Sequence, residues 1–355
     1  MAYTTINKGS SYFNSVLYTG NATTNAITGV GFQPDFVWCK NRPSILYHGL
    51  YDAVRGTGTT KGLSSNSTEA EGANANYINL TSFNSDGFTL GATVNTNQIN
   101  KSGENHVAWN WLGANTTASN TSGSITSTVS ANTTSGFSIV SYTGTGSVAT
   151  VGHGLGVTPA CFITKCRSNA STAWGMYHKS VGNTAFMELD GTAAKQTNIA
   201  YFNNTSPTSS VFTIGTDTIN NGSGYTFIAY CFAEIKGFSK FGSYTGNGSA
   251  DGTFVYTGFK PAYVMTKCSS TGGAGYNWQV WDNKRNTYNA VDTQLRPNTT
   301  EADNTDVSYS MDFVSNGFKM RGTSTNQNGS GATYIYMAFA ENPFVSSTQI
   351  PTTAR

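Results

Sequence analysis

Carboxylates and histidines, the side chains best suited to acid–base catalysis, are few in this chain and lie far apart. A glycosidase needs two carboxylates a few Å apart across a cleft. Asp52 and Asp282 occupy equivalent positions of an internal repeat, each three residues before an arginine, and His178 stands at that position in the middle copy. One carboxylate per copy makes a pair only if copies meet. The sequence therefore favours a polar strand-end residue beside Arg55 or Arg285.

The other reactive side chains show no spacing typical of a metal, cofactor or nucleophile site. None of the four histidines lies near a second histidine or a cysteine at ligand spacing. The chain contains no Gly-X-Ser-X-Gly elbow and no phosphate-binding loop. The five cysteines fit neither a metal site nor a disulfide framework. We therefore expect buried, reduced thiols, no metal, no cofactor, no catalytic residue and no enzyme activity.

A carbohydrate-binding site is better supported by the residue types, because sugars stack on aromatic rings and form hydrogen bonds with Asn, Asp and Ser. Aromatic and acidic residues recur on one strand of each repeat copy. The candidate contacts to a host glycan on these strands are Tyr47, Tyr51, Asp52, Trp174, Tyr177, Trp278, Trp281 and Asp282. These aromatic residues also alternate as core residues do, so burial in a core is the alternative interpretation.

All these residues belong to a pattern that occurs three times. Each copy begins with Tyr-Thr-Gly, continues through a proline and a lysine six residues apart, and ends with an Asn/Gly loop and an apolar strand. A copy spans roughly 100 to 125 residues, the size of one β-sandwich. The Tyr-Thr-Gly motifs begin at Tyr18, Tyr142 and Tyr244, and the proline–lysine pairs are Pro34 and Lys40, Pro159 and Lys165, and Pro261 and Lys267.

The repeat predicts an all-β protein built of three tandem copies of a jelly-roll, concanavalin-like β-sandwich. Short alternating strands are separated by glycine turns, and no long window has the period of an amphipathic helix. The predicted organisation is an N-terminal arm at 1–11, repeats at 12–115, 136–237 and 238–344, a Ser/Thr/Asn-rich linker with one strand at 116–135, and a C-terminal tail at 345–355.

Charge and hydropathy exclude two classes of partner. Only 11% of the residues are charged, the net charge is +2, and the chain has no Lys/Arg run. Nucleic-acid binding needs clustered cations, so we expect no nucleic-acid partner. Because no apolar run approaches the roughly 20 residues of a membrane helix, we expect no membrane insertion. The N-terminus lacks a secretory signal pattern.

Several motifs together resemble virion proteins of marine bacteriophages that carry tandem copies of a β-sandwich domain of unknown function. The motifs are "GFQPDFVW" from Gly31, "SFNSDGFTLG" from Ser82, "FIAYCFAE" from Phe227 and "YIYMAFAENPF" from Tyr334. The resemblance covers almost the whole chain from Tyr12. It implies a tail-fibre-like or structural protein of the virion, assembled in the host cytoplasm, and it implies no catalytic residue.

Three functions follow as expectations. The first is a non-enzymatic tail-fibre-like or receptor-binding protein that contacts the host surface, the second a capsid decoration or cement protein, and the third a polysaccharide-degrading tailspike enzyme. The expected partners are other virion proteins of the tail or capsid and a host cell-surface carbohydrate. A homotrimer is favoured, because a weak sugar site gains by multivalency. The loops Asn100–Gly103 and Asn328–Gly331 are expected to face outward.

Overall fold

The structure, a computed structural model, describes residues 4–73, 78–92 and 98–343. In these ranges the regular elements are antiparallel strands and five short helical turns, which confirms the predicted all-β class. The predicted C-terminal tail at 345–355 lies outside the described residues. The helical turns are Gly9–Ser11, Ile199–Phe202, Thr218–Asn221, Val307–Tyr309 and Thr325–Asn328.

The first group of strands, which we call unit one, forms a four-stranded sheet in the order β1-β7-β3-β4 and a small sheet in the order β2-β6-β5. The turn between the last two strands of the small sheet consists of Ser85 and Asp86. Gly87 directly follows the turn and has a φ of +149°. The strands are β1 (Phe13–Thr19), β2 (Asn25–Ile27), β3 (Phe36–Asn41), β4 (Gly49–Asp52), β5 (Leu80–Asn84), β6 (Gly87–Leu90) and β7 (Asn105–Trp111).

The segment predicted as a linker with one strand contains two strands, β8 (Ala118–Asn120) and β9 (Ser127–Asn132). Both extend the large sheet of the next group of strands, because β9 pairs with its first strand and β8 pairs with β9. The prediction of a single strand is therefore wrong. The residues of β8 are exposed or half-buried, so this strand has none of the apolar alternation by which a sequence pattern is recognised.

Unit two has an eight-stranded sheet in the order β15-β14-β13-β12-β17-β10-β9-β8 and a separate pair, β11-β16. Its strands β10, β17, β12 and β13 correspond to the four strands of the large sheet of unit one. The strands of unit two are β10 (Phe137–Thr143), β11 (Ala149–Gly152), β12 (Cys161–Cys166), β13 (Gly175–His178), β14 (Ala185–Glu188), β15 (Gln196–Thr197), β16 (Val211–Ile214) and β17 (Thr226–Phe232).

Unit three repeats the arrangement, with a sheet in the order β18-β26-β20-β21, a small sheet β19-β25-β24 and a short pair β22-β23. Its strands are β18 (Ser239–Thr245), β19 (Phe254–Tyr256), β20 (Phe259–Cys268), β21 (Gln279–Asp282), β22 (Thr293–Gln294), β23 (Asn304–Thr305), β24 (Met311–Val314), β25 (Gly317–Met320) and β26 (Thr333–Pro343).

The register of the strands also repeats. The lysine of the repeated motif lies opposite an aliphatic residue of the closing strand in every unit: Lys40 faces Val107, Lys165 faces Ile228 and Lys267 faces Ile335. The three lysines thus hold one structural position, as their constant six-residue offset from the prolines predicts.

The three units share one hydrophobic core around a pseudo-threefold axis. Trp111, Phe232 and Phe339 are equivalent residues, each four positions beyond the one that faces the repeated lysine. Their ring centroids are 6.2, 5.7 and 5.9 Å apart in the three pairs. Equivalent residues contact one another pairwise only when their units surround a common axis. The inner faces of all three large sheets are therefore buried against each other.

Outer cores lie between the large and small sheets of units one and two. Ala108 is fully buried in the outer core of unit one, and Ala229 is fully buried in that of unit two. In unit three the corresponding residue, opposite the first strand, is Tyr336, and Ala338 lies two positions further along. In units one and two, the alanine on this face of the closing strand thus allows the facing layer to approach closely.

The Tyr-Thr-Gly motif and the Asn/Gly loop bind each other. The hydroxyls of Tyr18, Tyr142 and Tyr244 donate to the carbonyls of Ile99, Asn220 and Gln327 at 2.6, 2.7 and 2.7 Å. The next residue in each loop is a buried asparagine whose Oδ1 accepts a backbone N–H from the motif. These asparagines are Asn100, Asn221 and Asn328, and their donors are Asn21, Thr145 and Asn247.

This clamp corrects the expectation that Asn100–Gly103 and Asn328–Gly331 face outward as whole loops. Asn100 and Asn328 are buried and hold the neighbouring loop, whereas the tips of both loops are exposed. The polar composition of the loops suggested exposure, but the asparagine amides satisfy backbone groups that would otherwise be buried without partners.

The glycine of the motif allows the two loops to touch. A Cβ at Gly20 would lie 2.2 Å from the carbonyl oxygen of Lys101. We expect Gly20→Ala to lower the free energy of unfolding by about 1–3 kcal/mol, because the loops must move apart. Thr23→Ala, in the same loop and exposed, should change it by less than about 0.5 kcal/mol. Denaturant titrations check both, and equal effects of the two variants would contradict this account.

Candidate functional site

Seven of the eight predicted glycan contacts are interior residues. Tyr51, Asp52, Trp174, Tyr177, Trp278, Trp281 and Asp282 are each at most 5% exposed, and Tyr47 is half-buried. A sugar cannot stack on a ring that has no exposed face, so the glycan interpretation is corrected for these seven residues. They lie on, or directly before, strands β4, β13 and β21. Tyr51 and Tyr177 are buried in the outer cores of their own units. The alternative interpretation of burial in a core therefore describes the position of these residues.

Asp52 is held in a buried ion pair that reaches the next unit. Its Oδ2 lies 2.5 Å from Nε of Arg55 and accepts a 2.8 Å hydrogen bond from the hydroxyl of Tyr230 in unit two. Nη2 of Arg55 donates to the carbonyl of Leu50 at 3.1 Å. Both charged side chains are completely buried. This carboxylate therefore joins units one and two.

Asp282 repeats this arrangement between units three and one. Its Oδ2 lies 2.6 Å from Nε of Arg285 and accepts a 3.1 Å hydrogen bond from Nε1 of Trp109. Burial alone would raise the pKa of Asp282, but the guanidinium of Arg285 outweighs burial and holds that pKa below its usual range. The aspartate stays ionised and paired, so it offers no proton to a substrate.

His178 takes the same position in unit two without a charge. Its Nε2 donates to the carbonyl of Tyr336 in unit three at 3.1 Å, and its Nδ1 accepts the N–H of Ser180 at 3.2 Å. Burial lowers the pKa of His178 to about 4, so the ring is neutral at pH 7. The three equivalent residues thus tie unit one to two, two to three and three to one, and they do not form a carboxylate pair across a cleft.

The repeated lysines form a second ring of contacts between units. Each lysine contacts the unit on the other side from the one that the Asp52, His178 or Asp282 position of its own unit contacts. Nζ of Lys40 donates to the carbonyl of Thr300 in unit three at 3.1 Å. Lys165 donates to Thr68 of unit one at 2.8 Å, and Lys267 donates to Thr192 of unit two at 3.2 Å. In each unit the buried lysine of the repeated motif therefore binds the backbone of the unit that precedes it around the axis.

A third ring of contacts was missed from the sequence. His48, Trp174 and Trp278 each lie four residues before the Asp52, His178 or Asp282 position. Their ring nitrogens bond to the carbonyls of Arg296, Ser64 and Glu188 in the same neighbouring units that the lysines contact, at 3.1, 3.0 and 2.9 Å. The equal spacing of these residues could have revealed their equivalence. It was overlooked because one of the three is a histidine and the other two are tryptophans.

The buried lysines make stability depend on pH. Burial lowers the pKa of Lys40, Lys165 and Lys267 from 10.5 to about 8. Between pH 8 and 10.5 the unfolded chain binds more protons than the folded chain. The free energy of unfolding therefore rises with pH, and each lysine contributes up to about 1.4 kcal/mol for every increase of one pH unit. Burial also raises the pKa of Cys39 to about 12, and ionisation of this thiol in the unfolded chain opposes the rise above about pH 9.

We therefore expect the melting temperature to increase between pH 7.5 and 9 and then to level off. Lys165→Met should flatten this increase, because the variant has one buried ammonium fewer. Lys319→Met, which removes a partly exposed lysine paired with Asp251, should leave the slope unchanged. Calorimetry across this pH range checks the prediction, and a wild-type slope in Lys165→Met would show that the buried ammonium does not titrate as stated.

All five cysteines are free and buried: Cys39, Cys161, Cys166, Cys231 and Cys268. We expect an aromatic disulfide reagent to find five thiols in the unfolded protein and none within minutes in the folded protein, because burial blocks access of the reagent to the thiols. Intact mass after alkylation without reduction checks the count. A cross-linked pair, or a thiol that reacts in the folded protein, would contradict this prediction.

The interior offers no ligand cavity where the three large sheets meet. The void there, lined by Trp38, Trp111, Tyr230 and Tyr263 among others, has a volume of about 10 Å³, too small for a ligand. Within residues 4–73, 78–92 and 98–343, no group of three or more His, Cys, Asp or Glu side chains could hold a metal ion. In the same ranges no helix is long and apolar enough to span a membrane.

An open groove lies where units two and three join, and we call it the junction groove. It has a volume of about 520 Å³ and is lined mainly by Glu234, Lys236, Ser239, Lys240, Tyr256 and Thr257. The Glu234 carboxylate lies 2.6 Å from Nζ of Lys179 and accepts the N–H of Phe241 at 2.9 Å. Tyr256 is 60% exposed. An exposed ring beside ammonium groups is the arrangement that the buried candidates lack.

Comparison with protein families finds one match. A family model described as "Domain of unknown function (DUF7483)" matches residues 8–343. The match spans all three units, so the unit of the family is the whole pseudo-threefold assembly. No curated protein matches the chain, and no solved structure matches it.

Proposed function

The chain belongs to the DUF7483 family, described as a domain of unknown function, and we propose its function from its architecture together with the resemblance of its motifs to virion proteins of marine bacteriophages. We propose a non-enzymatic structural protein of a bacteriophage virion, tail-fibre-like or receptor-binding, that contacts the host surface. In this proposal each unit is one copy of a jelly-roll, concanavalin-like β-sandwich, and the protein is assembled into the virion in the host cytoplasm.

The observation that carries the proposal is that the buried charged residues connect the three units to one another. The repeated lysines and the Asp–Arg pairs all bind neighbouring units. Such side chains would be candidates for catalysis if they lined a cleft, but here they fix three units as one rigid body. Rigid scaffolds that hold surface loops and grooves are suited to binding. The partners in this proposal are other virion proteins and a host cell-surface carbohydrate.

One feature favours the second function, a capsid decoration protein. A chain with a pseudo-threefold axis presents similar surfaces three times, and such a chain fits a threefold position of a shell. The third function, a tailspike enzyme, has less support, since Asp52 and Asp282 are held in separate buried ion pairs. A homotrimer stays a prediction; its contacts would use outer surfaces, because the inner faces of the large sheets are already buried within one chain.

Binding of labelled protein to host cells and to stripped phage capsids separates these functions. We expect saturable binding to cells and competition with phage adsorption. Binding to capsids alone would support the decoration function instead. Release of reducing ends from host polysaccharide would support the tailspike function. Sedimentation of the free protein at several concentrations measures its oligomeric state, and a monomer at all of them would contradict the trimer.

A further inference from the structure

Strand β19 of unit three has an outer edge whose backbone groups are open to solvent. Its other edge pairs with β25, and there the N–H of Met320 donates to the carbonyl of Thr253 at 3.1 Å. Because bonded residues alternate along an antiparallel pair, the N–H and C=O groups of Phe254 and Tyr256 point away from β25. Within residues 4–73, 78–92 and 98–343, no hydrogen bond joins these four outward groups to another residue.

Strands β2 and β11 hold the same place in units one and two. The buried aliphatic residue of each strand lies opposite a buried phenylalanine: Val255 opposite Phe318, Ile27 opposite Phe88 and Val151 opposite Phe212. The residues that correspond to Phe254 and Tyr256 are Ala26 and Thr28 in unit one, and Thr150 and Gly152 in unit two. The three edges can therefore be compared residue by residue.

In unit two a segment of the chain covers this edge. Ile125 forms a parallel bridge with β11, and its N–H donates to the carbonyl of Thr150 at 3.0 Å. The N–H of Thr150 donates to Oγ of Ser124 at 2.9 Å. Oγ of Ser127 donates to the carbonyl of Gly152 at 2.8 Å. An extended segment with the sequence Ser-Ile-Thr-Ser thus supplies the partners that the outward groups of this edge need.

Unit three differs from unit one in the side chains that flank the open edge. Phe254 is 47% exposed and Tyr256 is 60% exposed, whereas Ala26 and Thr28 are small. A backbone hydrogen bond contributes little where water competes for it, and more where a large apolar side chain excludes water. An exposed edge strand with aromatic residues and without charge or proline is a template for a further strand. The edge of β19 has these properties.

We propose that the outer edge of β19 binds an extended segment of a partner polypeptide by strand addition. The segment runs parallel to β19 and has the pattern of Ser124 to Ser127, two hydroxyl residues on either side of an aliphatic residue. Its first hydroxyl accepts the N–H of Phe254, its aliphatic residue donates an N–H to the carbonyl of Phe254, and its second hydroxyl donates to the carbonyl of Tyr256. This inference goes beyond the proposed function, because the contact does not depend on host binding.

Calorimetric titration of the full wild-type chain with a capped peptide of residues 122–129, SGSITSTV, tests the edge. We expect saturable binding. Methylation of the isoleucine nitrogen should weaken it by about tenfold, because the methyl group replaces the donor to Phe254 and separates the strands. Methylation of the next nitrogen, that of the threonine, is the matched control. Thr126 is exposed in unit two and its N–H faces away from β11, so this peptide should keep its affinity.

Two proline variants locate the bound peptide on the protein. Phe254→Pro removes an outward N–H and leaves the pairing with β25 in place, since proline is tolerated where the N–H of an edge strand faces solvent. It should weaken binding by about tenfold. Ala26→Pro makes the same change on β2 of unit one and should bind like the wild type. Phe254→Ala, which keeps the N–H, should weaken binding less than Phe254→Pro does.

Three results would overturn the site. One is the absence of saturable binding up to about 1 mM peptide, another is equal affinity for the peptide methylated at the isoleucine nitrogen, and the third is a loss of binding in Ala26→Pro that Phe254→Pro does not share. Because the methylated peptides are titrated into the wild type, their result does not depend on the folding of a variant. Binding of the chain to host cells is a separate measurement, so failure of this site leaves the proposed function standing.

Discussion

Replacement of Arg55 by methionine is expected to lower the free energy of unfolding by about 3–5 kcal/mol. The substitution leaves the Asp52 carboxylate buried with the hydroxyl of Tyr230 as a remaining side-chain donor. It also removes the donor to the carbonyl of Leu50. Because Tyr230 belongs to unit two, the loss weakens the contact between units as well as unit one itself. Denaturant titration followed by tryptophan fluorescence measures the change.

A double variant shows whether the unpaired charge causes this loss. Asp52→Asn combined with Arg55→Met removes both charges, and we expect it to be more stable than Arg55→Met alone, because no ion is left buried without a partner. Lys319→Met is the surface control, since its pair with Asp251 is exposed and should contribute less than about 1 kcal/mol. If Arg55→Met is as stable as the surface control, the pair of Asp52 with Arg55 does not stabilise the contact between units one and two.

The repeat made much of the fold predictable. Three copies of one motif order indicated three copies of one strand order, and the constant proline–lysine offset placed Lys40, Lys165 and Lys267 on one position of one strand. These inferences hold because strand pairing and turns are local properties that each copy encodes in the same way. The β8 strand escaped prediction because its three residues are exposed or half-buried and show no apolar alternation.

The buried candidates were misplaced for a physical reason. Alternation shows that Trp174 and Trp278 each share a strand face with the residues two positions further on, but it does not show whether that face meets solvent, a ligand or another unit. The pseudo-threefold packing decides this, and it depends on contacts more than a hundred residues apart, such as that of Trp174 with Ser64. The sequence did contain one indication of these contacts. A lysine at the same position of the equivalent strand in all three copies suggests that each lysine has an equivalent buried partner.

The exposed aromatic rings of strand β19 could have been noticed by comparing the three copies position by position. Phe254 and Tyr256 replace small residues in an otherwise similar strand, and such a difference within one chain marks a property that only one copy has. The sequence alone does not show which of these side chains are exposed, because Phe254, Val255 and Tyr256 are apolar or aromatic in succession. In the structure Val255 is the buried one.

Replacement of Trp111 by alanine is expected to destabilise all three units together, by about 3–5 kcal/mol. Its ring contacts aromatic rings of every unit, among them Phe36 at 5.2 Å, Phe232 at 6.2 Å and Phe339 at 5.7 Å. Since these rings surround the axis, no unit keeps its inner face packed when the tryptophan is lost. Trp111→Phe should cost less, because it keeps most of the ring contacts and Nε1 of Trp111 has no hydrogen-bond partner in the structure.

The buried thiols report whether the units unfold together. Cys39, Cys166 and Cys268 belong to units one, two and three, and each is buried. Labelling at increasing denaturant concentration, read by peptide mass spectrometry, should give one midpoint for all three thiols, and Trp111→Ala should lower that midpoint equally for each. Separate β-sandwiches joined by linkers would instead expose Cys39 alone in the variant. That outcome would show that the shared core adds little stability, and it would leave the inter-unit lysines without the role assigned to them.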